Sequence, residues 1–257
     1  MLSVKPDMMD VILEFENADV GYGGVRVLKK LSFAVKRGEI CGVIGPNGSG
    51  KTTILNAVTG LIRPTHGRIL FRGRDVSALP PNVRCNLGIG RTFQTPRLFG
   101  SMSVYENVLV AAVHGAGKSE ADGRQAALEA LQLSSLYERR EAHAGELTLL
   151  DRKRLEIARA VGTGAKFLLL DEVAAGLTET EVEEITRLLR GLGESGYSIL
   201  WIEHILDAML NATDRLLCIA EGRCLLDGPP TEVLHSREVE ELYLGVGRNE
   251  RTDHLKS

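Results

Sequence analysis

The stretch Gly45-Pro-Asn-Gly-Ser-Gly-Lys-Thr52 decides the fold of this chain. It fits the pattern G-x-x-x-x-G-K-[ST], and it stands between a short apolar run, 39–44, and a segment with helical spacing, 51–61. Backbone N–H groups in such a loop surround phosphate oxygens at a helix N-terminus. The lysine would neutralise the β- and γ-phosphates, and the threonine hydroxyl would bind Mg²⁺. The sequence therefore predicts a nucleoside triphosphate site, with a plain glycine-rich turn as the alternative.

The predicted ligands are a nucleoside triphosphate and Mg²⁺. The residues expected to bind the nucleotide in and after this loop are Gly45, Asn47, Gly48, Ser49, Gly50, Lys51, Thr52 and Thr53.

Two acids close a second apolar run, 167–170, at the edge where open parallel sheets bind ligands. Asp171 is expected to bind Mg²⁺, and Glu172 is expected to orient or deprotonate water. His204 follows a third apolar run, 198–202, and would lie beside the same phosphates. A turn with two acids and a purely structural histidine are the alternatives, but the glycine-rich loop in the same chain favours a shared site.

The rest of the pattern predicts an α/β fold. Alternation over 11–15 and 31–35 predicts an antiparallel layer at the start of the chain. An amphipathic stretch, 179–192, between two apolar runs predicts a β-α-β unit in a buried parallel sheet. Helical periodicity prevails over 99–161, which predicts a separate helical lobe, and the polar segment 115–123 within it predicts an exposed loop.

Composition excludes several classes. The 257 residues carry a formal net charge of −3, so no uniform basic field draws the chain to nucleic acid, and no nucleic-acid partner is expected. The longest stretches without Asp, Glu, Lys or Arg, such as 107–117, are far shorter than the ~20 apolar residues of a membrane-spanning helix. The N-terminus lacks the pattern of a secretory signal, so a cytoplasmic location is expected.

Over almost its whole length the sequence resembles the ATP-binding subunits of ABC transporters. Five further motifs resemble the branch that serves high-affinity branched-chain amino-acid uptake: Gly90-Arg-Thr-Phe-Gln94, Arg97-Leu-Phe99, Glu106-Asn-Val108, Arg154-Leu-Glu-Ile-Ala-Arg159 and Ala174-Ala-Gly-Leu177. The resemblance implies a P-loop, RecA-like lobe over 10–94 and 162–250, a helical subdomain over 95–161, and tails at 1–9 and 251–257.

The resemblance also implies roles for single residues. Tyr22 matches the aromatic residue that stacks on adenine. Gln94 matches the glutamine that touches Mg²⁺ and joins the two lobes, and His204 matches the histidine that reaches the γ-phosphate. Glu172 would then be the catalytic carboxylate. Gln94, Glu172 and His204 are thus the predicted catalytic set, with Thr52, Gln94 and Asp171 as the predicted metal ligands.

The chain departs from the family pattern in three places. Val173 stands where proline is usual, and Thr178 stands where an acid or amide is common in the interface loop. The family signature, usually Leu-Ser-Gly-Gly-Gln, falls on Leu147, Thr148, Leu149, Leu150 and Asp151. Leu150 replaces a glycine that lets backbone approach the γ-phosphate of the partner's ATP, and Asp151 adds negative charge. We expect slow hydrolysis by the chain alone, raised by Leu150→Gly combined with Asp151→Gln.

The charge cluster Arg152-Lys153-Arg154 follows this signature loop. Contact with phosphate or membrane is one interpretation. The sequence favours the other interpretation, the solvated face of an amphipathic helix.

The function implied by the resemblance is hydrolysis of ATP to power an importer from the cytoplasmic face of the membrane. Implied partners are transmembrane permease subunits, an extracytoplasmic solute-binding protein that acts indirectly, and a second ATPase subunit, with a heterodimer favoured and a homodimer possible. Branched-chain amino acids are the implied solute, with amides, urea or aromatic acids as alternatives. Two other functions stay open: an ATP-gated clamp with weak hydrolysis, and a small-molecule P-loop kinase, which Gln94 and His204 disfavour.

Overall fold

The computed structural model describes residues 10–115, 117 and 119–244, in which the chain forms ten strands and nine α-helices. Strands β1 to β10 are Val11–Tyr22, Val25–Lys36, Ile40–Ile44, His66–Phe71, Arg74–Asp75, Ile89–Arg91, Phe167–Asp171, Ser198–Ile202, Arg215–Ala220 and Arg223–Gly228. Helices α1 to α9 are Lys51–Thr59, Pro81–Asn86, Val104–Val110, Glu120–Leu133, Leu149–Gly162, Glu179–Glu194, Leu206–Ala212, Pro230–Leu234 and Arg237–Leu244.

The strands form two sheets. The smaller is antiparallel with the order β2-β1-β4-β5, which confirms the predicted layer at the start of the chain. The larger has the order β10-β9-β3-β8-β7-β6, and all its neighbours pair in parallel except β9 and β10. In this order β3, β8 and β7 lie side by side, so the loops that follow them meet at one edge.

The larger sheet packs against a hydrophobic core on each face, because its central strands are almost entirely apolar. Along β7, Phe167 and Leu169 belong to the core against the antiparallel sheet, whereas Leu168 and Leu170 belong to the core beneath the helices. This alternation follows from the two-residue period of a strand. The ring of Phe71 on β4 lies 5.8 Å from that of Phe167, so the two sheets touch through aromatic packing.

Helices occupy the middle of the chain, as predicted. Helices α3, α4 and α5 pack on one another, and a π-helical turn, Ala111–Gly115, extends α3. The prediction of a loop over 115–123 is wrong from Glu120 onward, where α4 begins. The Ser119 side chain accepts a hydrogen bond from the backbone N–H of Asp122, and this cap lets a polar, glycine-containing segment enter a helix.

Further expectations from the sequence concern the length of helix α1, membrane-spanning helices and the predicted tails. Helix α1 ends at Thr59, two residues before the predicted end at 61, because Gly60 takes a left-handed conformation with φ 80°. Within the described ranges no helix combines the length and apolarity that a membrane crossing requires. The predicted tails at 1–9 and 251–257, and residues 245–250 of the predicted domain, lie outside the described residues.

Candidate active site

The glycine-rich loop, 45–50, joins β3 to α1 through backbone conformations that only glycine adopts without strain. Gly45 has φ 150°, and a Cβ there would lie 2.1 Å from the carbonyl oxygen of Ile219. Gly50 has φ 109°, caps α1, and would place a Cβ 2.7 Å from the Leu28 side chain. The neighbouring strands therefore leave no room for a side chain at positions 45 and 50. The loop curls around the N-terminus of α1, as a phosphate site requires.

Side chains in and after this loop fall into two groups. Asn47 and Thr52 are exposed, so the Thr52 hydroxyl is accessible from solvent. Ser49 and Thr53 are buried, and the Ser49 Oγ has no hydrogen-bond partner among the described residues. An unpartnered hydroxyl in a loop of this shape is available to a ligand that enters the loop.

Lys51 is held inside the loop. Its Nζ donates to the carbonyl oxygens of Gly45 at 2.6 Å and Pro46 at 2.9 Å, and the residue is 6% exposed. Burial lowers the pKa of Lys51, and the carboxylates of Glu172 and Asp171 partly oppose this shift. The ammonium group thus lies among the residues that the sequence predicts to surround the phosphates.

Asp171 ends β7 and is nearly buried. Arg91 Nη2 on β6 lies 3.4 Å from its Oδ2, but burial is the larger effect and raises the pKa of Asp171. Arg91 Nη1 also donates to Asn56 Oδ1 at 2.7 Å, and Asn56 Nδ2 donates to the hydroxyl of Tyr22 at 2.9 Å. A chain of side-chain hydrogen bonds therefore joins Tyr22, the predicted adenine contact, to Asp171, the predicted metal ligand.

Glu172 stands between the other two predicted catalytic residues. Gln94 Nε2 donates to its Oε2, and His204 Nε2 lies 3.0 Å from its Oε1. Glu172 has φ 50°, a left-handed conformation that costs a non-glycine residue about 1–2 kcal/mol. Two side chains from separate loops thus converge on the Glu172 carboxylate at the carboxyl edge of the sheet, and strained backbone of this kind is typical of functional sites.

The comparisons with known proteins agree with this geometry. A family model described as ABC transporter matches residues 28–175. The chain belongs to the ABC transporter family. Its ABC transporter relatives include LivG of Archaeoglobus fulgidus, described as a probable branched-chain amino acid transport ATP-binding protein, which is 34% identical over 250 residues covering 93% of this chain and 97% of LivG.

A second relative has a different role. LptB of Escherichia coli, a lipopolysaccharide export system ATP-binding protein, is 34% identical over 233 residues covering 91% of this chain and 97% of LptB. Among solved structures, the ADP conformation of an ATP-binding cassette from an ABC transporter matches with a TM-score of 0.85 and 31% identity, covering 91% of this chain and 99% of that one. This protein is therefore an ATP-binding subunit of an ABC transporter and an ATPase, and the resemblance found in the sequence is confirmed.

The predicted signature loop of this ABC transporter subunit, residues 147–151, leads into α5. The Thr148 side chain accepts a hydrogen bond from the backbone N–H of Asp151 at 3.2 Å and so caps the helix. Leu149 is 42% exposed, whereas Leu150 is 8% exposed and belongs to the core beneath the helices. The exposed bulky side chain at this helix end is therefore Leu149.

Asp151 is also turned away from solvent. It is 5% exposed, and its carboxylate accepts from Arg139 at 2.6 Å and lies 3.3 Å from Arg154. Two cations therefore offset the negative charge that the sequence places at this position.

The prediction of a solvated charge cluster at 152–154 is wrong for two of its three members. Arg152 is exposed, although its guanidinium donates to the carbonyls of Gly145 and Leu147. The Arg154 side chain is mostly buried between Asp151 and Glu184. Lys153 is 3% exposed, since it lies on the face of α5 that meets the sheet.

Sequence reasoning missed two charged residues beside Glu172. Glu203 is 1% exposed and accepts hydrogen bonds from the backbone N–H groups of Ala174 and His204, both at 3.0 Å. Burial raises the pKa of Glu203 despite these bonds. Lys153 Nζ donates to the carbonyl oxygens of Gln94 and Glu172. The signal that could have found Glu203 is its position directly after β8, because Glu172 stands in the corresponding place directly after β7.

Proposed function

We propose that this ATPase powers an importer for branched-chain or related amino acids. The observation that carries the chemical part is the Glu172 carboxylate, which lies between Gln94 and His204 at the same sheet edge as the glycine-rich loop. Relatives named for branched-chain amino acid transport support the solute class. The similarly close lipopolysaccharide export relative makes export of a lipid the competing assignment.

The nucleotide is bound along the edge formed by β3, β8 and β7. Backbone N–H groups of residues 45–50 donate to the phosphate oxygens, and Lys51 neutralises their charge. The aromatic ring of Tyr22, which is half exposed, packs against adenine. Thr53 follows the loop in α1 and contributes through its backbone, because its side chain is buried.

Mg²⁺ suits the oxygen atoms that Thr52, Gln94 and Asp171 offer. A hydroxyl, an amide oxygen and one carboxylate are hard ligands, and Mg²⁺ usually binds through one or two carboxylates together with substrate phosphates. Within the described part of the chain, no group of three His, Cys, Asp or Glu side chains has the arrangement of a metal site. When bound, the ion would offset charge on the phosphate oxygens.

Hydrolysis needs one proton acceptor. Glu172 takes a proton from water as the water oxygen forms a bond to the γ-phosphorus, and the bond between that phosphorus and the bridging oxygen of ADP breaks. The products are ADP and inorganic phosphate. His204 orients the carboxylate through Nε2, and Gln94 holds its other oxygen.

The working assembly contains two ATPase subunits arranged head to tail. Each ATP lies between the glycine-rich loop of one subunit and the signature loop of the other, so residues 147–151 face the partner's nucleotide. With Leu149 at this position a homodimer has two impaired sites, whereas a heterodimer with an intact partner has one good site. Among the described residues, 10–94 and 162–244 form the nucleotide lobe, and the helical subdomain, 95–161, carries the signature loop.

The subunit acts at the cytoplasmic face of the membrane, bound to permease subunits, and a solute-binding protein on the other side supplies the solute. An ATP-gated clamp with weak hydrolysis is the second candidate function. The exposed Leu149 side chain favours it, because this side chain obstructs the approach of backbone to phosphate.

Purification of the native complex through a tag on this chain tests the assignment. We expect a second ATPase subunit and permease subunits to copurify, and we expect ATP hydrolysis in proteoliposomes to rise when leucine and the solute-binding protein are added. Stimulation by lipopolysaccharide instead of leucine would show that the export assignment is right. Nucleotide-dependent closure without turnover in the complete complex would show that the chain is a clamp.

A further inference from the structure

Lys153 is a buried cation in contact with the catalytic loops. It stands in the first turns of α5, close to the signature loop, and it is 3% exposed. Its Nζ donates to the backbone carbonyl oxygens of Gln94 and Glu172, both at 3.0 Å. One ammonium group therefore joins two loops that are 78 residues apart in sequence and that each carry a predicted catalytic side chain.

The electrostatic surroundings explain why a charged lysine is stable there. Burial lowers the pKa of Lys153, and the carboxylates of Glu203, Glu172, Asp171 and Glu156 oppose this shift, in decreasing order. A neutral side chain of similar length would leave these acids without the nearby positive charge and two carbonyl oxygens without a donor. The cation is thus matched to the carboxylates at the end of β7 and to the start of the loop after β8.

The backbone conformation at Glu172 gives this contact a mechanical role. Glu172 has φ 50°, which is unfavourable for a residue with a side chain, so neighbouring groups must hold the peptide in place. Its N–H donates to the carbonyl of Ile202, and its carbonyl oxygen accepts from Lys153. The two bonds fix both sides of the strained residue.

We propose that Lys153 is a positioning residue that links the signature helix α5 to the catalytic carboxylate and glutamine of the same subunit. The inference rests on the proposed function, because it takes Glu172 as the proton acceptor and the start of α5 as the surface that meets the partner's ATP. A displacement of α5 in the assembled dimer then moves the backbone of Gln94 and Glu172. Occupancy of the site that contains the altered signature loop thereby controls hydrolysis in the other site.

The experiment compares Lys153→Met, which removes the donors, with Lys153→Arg, which keeps charge and donors. Lys36→Met, at an exposed lysine on β2, is the matched control. We expect Lys153→Met to lower kcat by about 10-fold or more with the KM for ATP within about 3-fold of wild type, since two hydrogen bonds are lost near the carboxylate rather than at the nucleotide. Lys153→Arg should restore at least half of the wild-type kcat.

A second measurement does not need turnover. Hydrogen exchange of peptides covering 92–98 and 171–176 should become about 10-fold faster in Lys153→Met, while exchange over 11–22 stays close to wild type. If Lys153→Met fails to fold, Lys153→Gln replaces it, because glutamine keeps N–H donors on a neutral side chain. The changes in kcat and in exchange rate should then have the same direction and about half the size on a logarithmic scale.

Two results would overturn the proposal. One is wild-type kcat and exchange in Lys153→Met. The other is a parallel loss of kcat, ATP affinity and thermal stability that Lys153→Arg does not recover, which would make Lys153 a general core residue. Failure of the proposed function looks different: a wild-type complex without ATP hydrolysis would still give the exchange result, which depends only on the two hydrogen bonds.

Discussion

At the scale of single residues, Glu172 combines a strained backbone with a carboxylate held from both sides. The left-handed conformation aims the side chain toward Gln94 and His204, whereas Asp171, one residue earlier, continues the strand and stays nearly buried. Two adjacent carboxylates therefore point to different surroundings. These environments suit the proposed roles of metal ligand for Asp171 and proton acceptor for Glu172, as in other sites with paired acids.

Glu172→Gln tests the proton acceptor. The amide keeps the size of the side chain but does not accept a proton, so hydrolysis should fall by roughly 10²-fold or more. ATP binding, measured by titration with a fluorescent analogue, should stay within about 3-fold of wild type, because no charge needed by the phosphates is lost. His204→Ala is the companion variant. Undiminished turnover of both variants in the complete complex would contradict the assigned roles.

Lys51→Ala tests the glycine-rich loop. Removal of a charge-assisted contact to phosphate, worth about 1.5–3 kcal/mol, should weaken ATP binding by roughly 10- to 100-fold. Unfolding should be little affected, since the partners of Nζ are two loop carbonyls rather than the core. Lys36→Ala, at an exposed lysine, is the control and should bind ATP like wild type. Equal ATP affinity of a folded Lys51→Ala variant would argue against a phosphate site in this loop.

At the scale of elements, two helices of the helical region begin with side-chain caps of similar geometry. Thr148 caps α5 and accepts from the N–H of Asp151 at 3.2 Å, and Ser103 caps α3 and accepts from that of Glu106 at 3.1 Å. Only the first cap belongs to the signature loop. A comparison of variants at Thr148 and Ser103 therefore distinguishes the effect of losing a helix cap from the effect of altering the signature loop.

Thr148→Ala and Ser103→Ala should each lower the free energy of unfolding by about 1 kcal/mol, which urea denaturation measures. Only Thr148→Ala should also slow ATP hydrolysis in a dimer, because its hydroxyl is the polar group that the altered signature loop still offers. Equal hydrolysis by the two variants would show that the Thr148 hydroxyl has no role beyond the cap.

Strands, helices and the edge of the sheet that holds the site could be predicted from the sequence. The period of the apolar residues indicates the type of element, and the residues directly after each strand lie at the sheet edge. The apolar runs of β3, β7 and β8 give parallel strands, and the residues just after them then fall at one edge, which brings Lys51, Asp171 and His204 together. The conformation of Glu172 could not be predicted in this way, since a left-handed residue at a strand end leaves no periodic signal.

The burial of charged side chains within the run 152–154 also could not be predicted from the sequence. The sequence Arg152-Lys153-Arg154 reads as a solvated surface, yet Lys153 and Arg154 lie against carboxylates and carbonyls that come from α6 and from the loops after β6 and β7. Those partners are distant in sequence, so only the fold reveals them. The same holds for Asp151, whose charge is offset by Arg139 and Arg154.

At the scale of the whole molecule, we propose that the altered signature loop sets how two subunits cooperate. The sequence led to the expectation that Leu150→Gly with Asp151→Gln would raise activity. The structure shows that this double variant is not a suitable test, because both side chains are buried. Truncation of the buried Leu150 costs about 2–5 kcal/mol through the cavity alone, and glycine in a helix adds about 1 kcal/mol. Asp151→Gln would in addition leave Arg139 and Arg154 without their carboxylate. That double variant would report stability rather than catalysis.

Leu149→Ala is the better probe, because Leu149 is the exposed side chain at the start of α5. We expect the chain alone to hydrolyse ATP slowly and to dimerise weakly, and we expect a second ATPase subunit with an intact signature to raise turnover. Relief of crowding worth about 1–3 kcal/mol should let Leu149→Ala raise the turnover of the chain alone by roughly 5- to 100-fold. Leu225→Ala, at an equally exposed leucine on β10, should change nothing. Fast turnover by the unmodified chain, unchanged by Leu149→Ala, would mean that this side chain does not obstruct the partner's ATP.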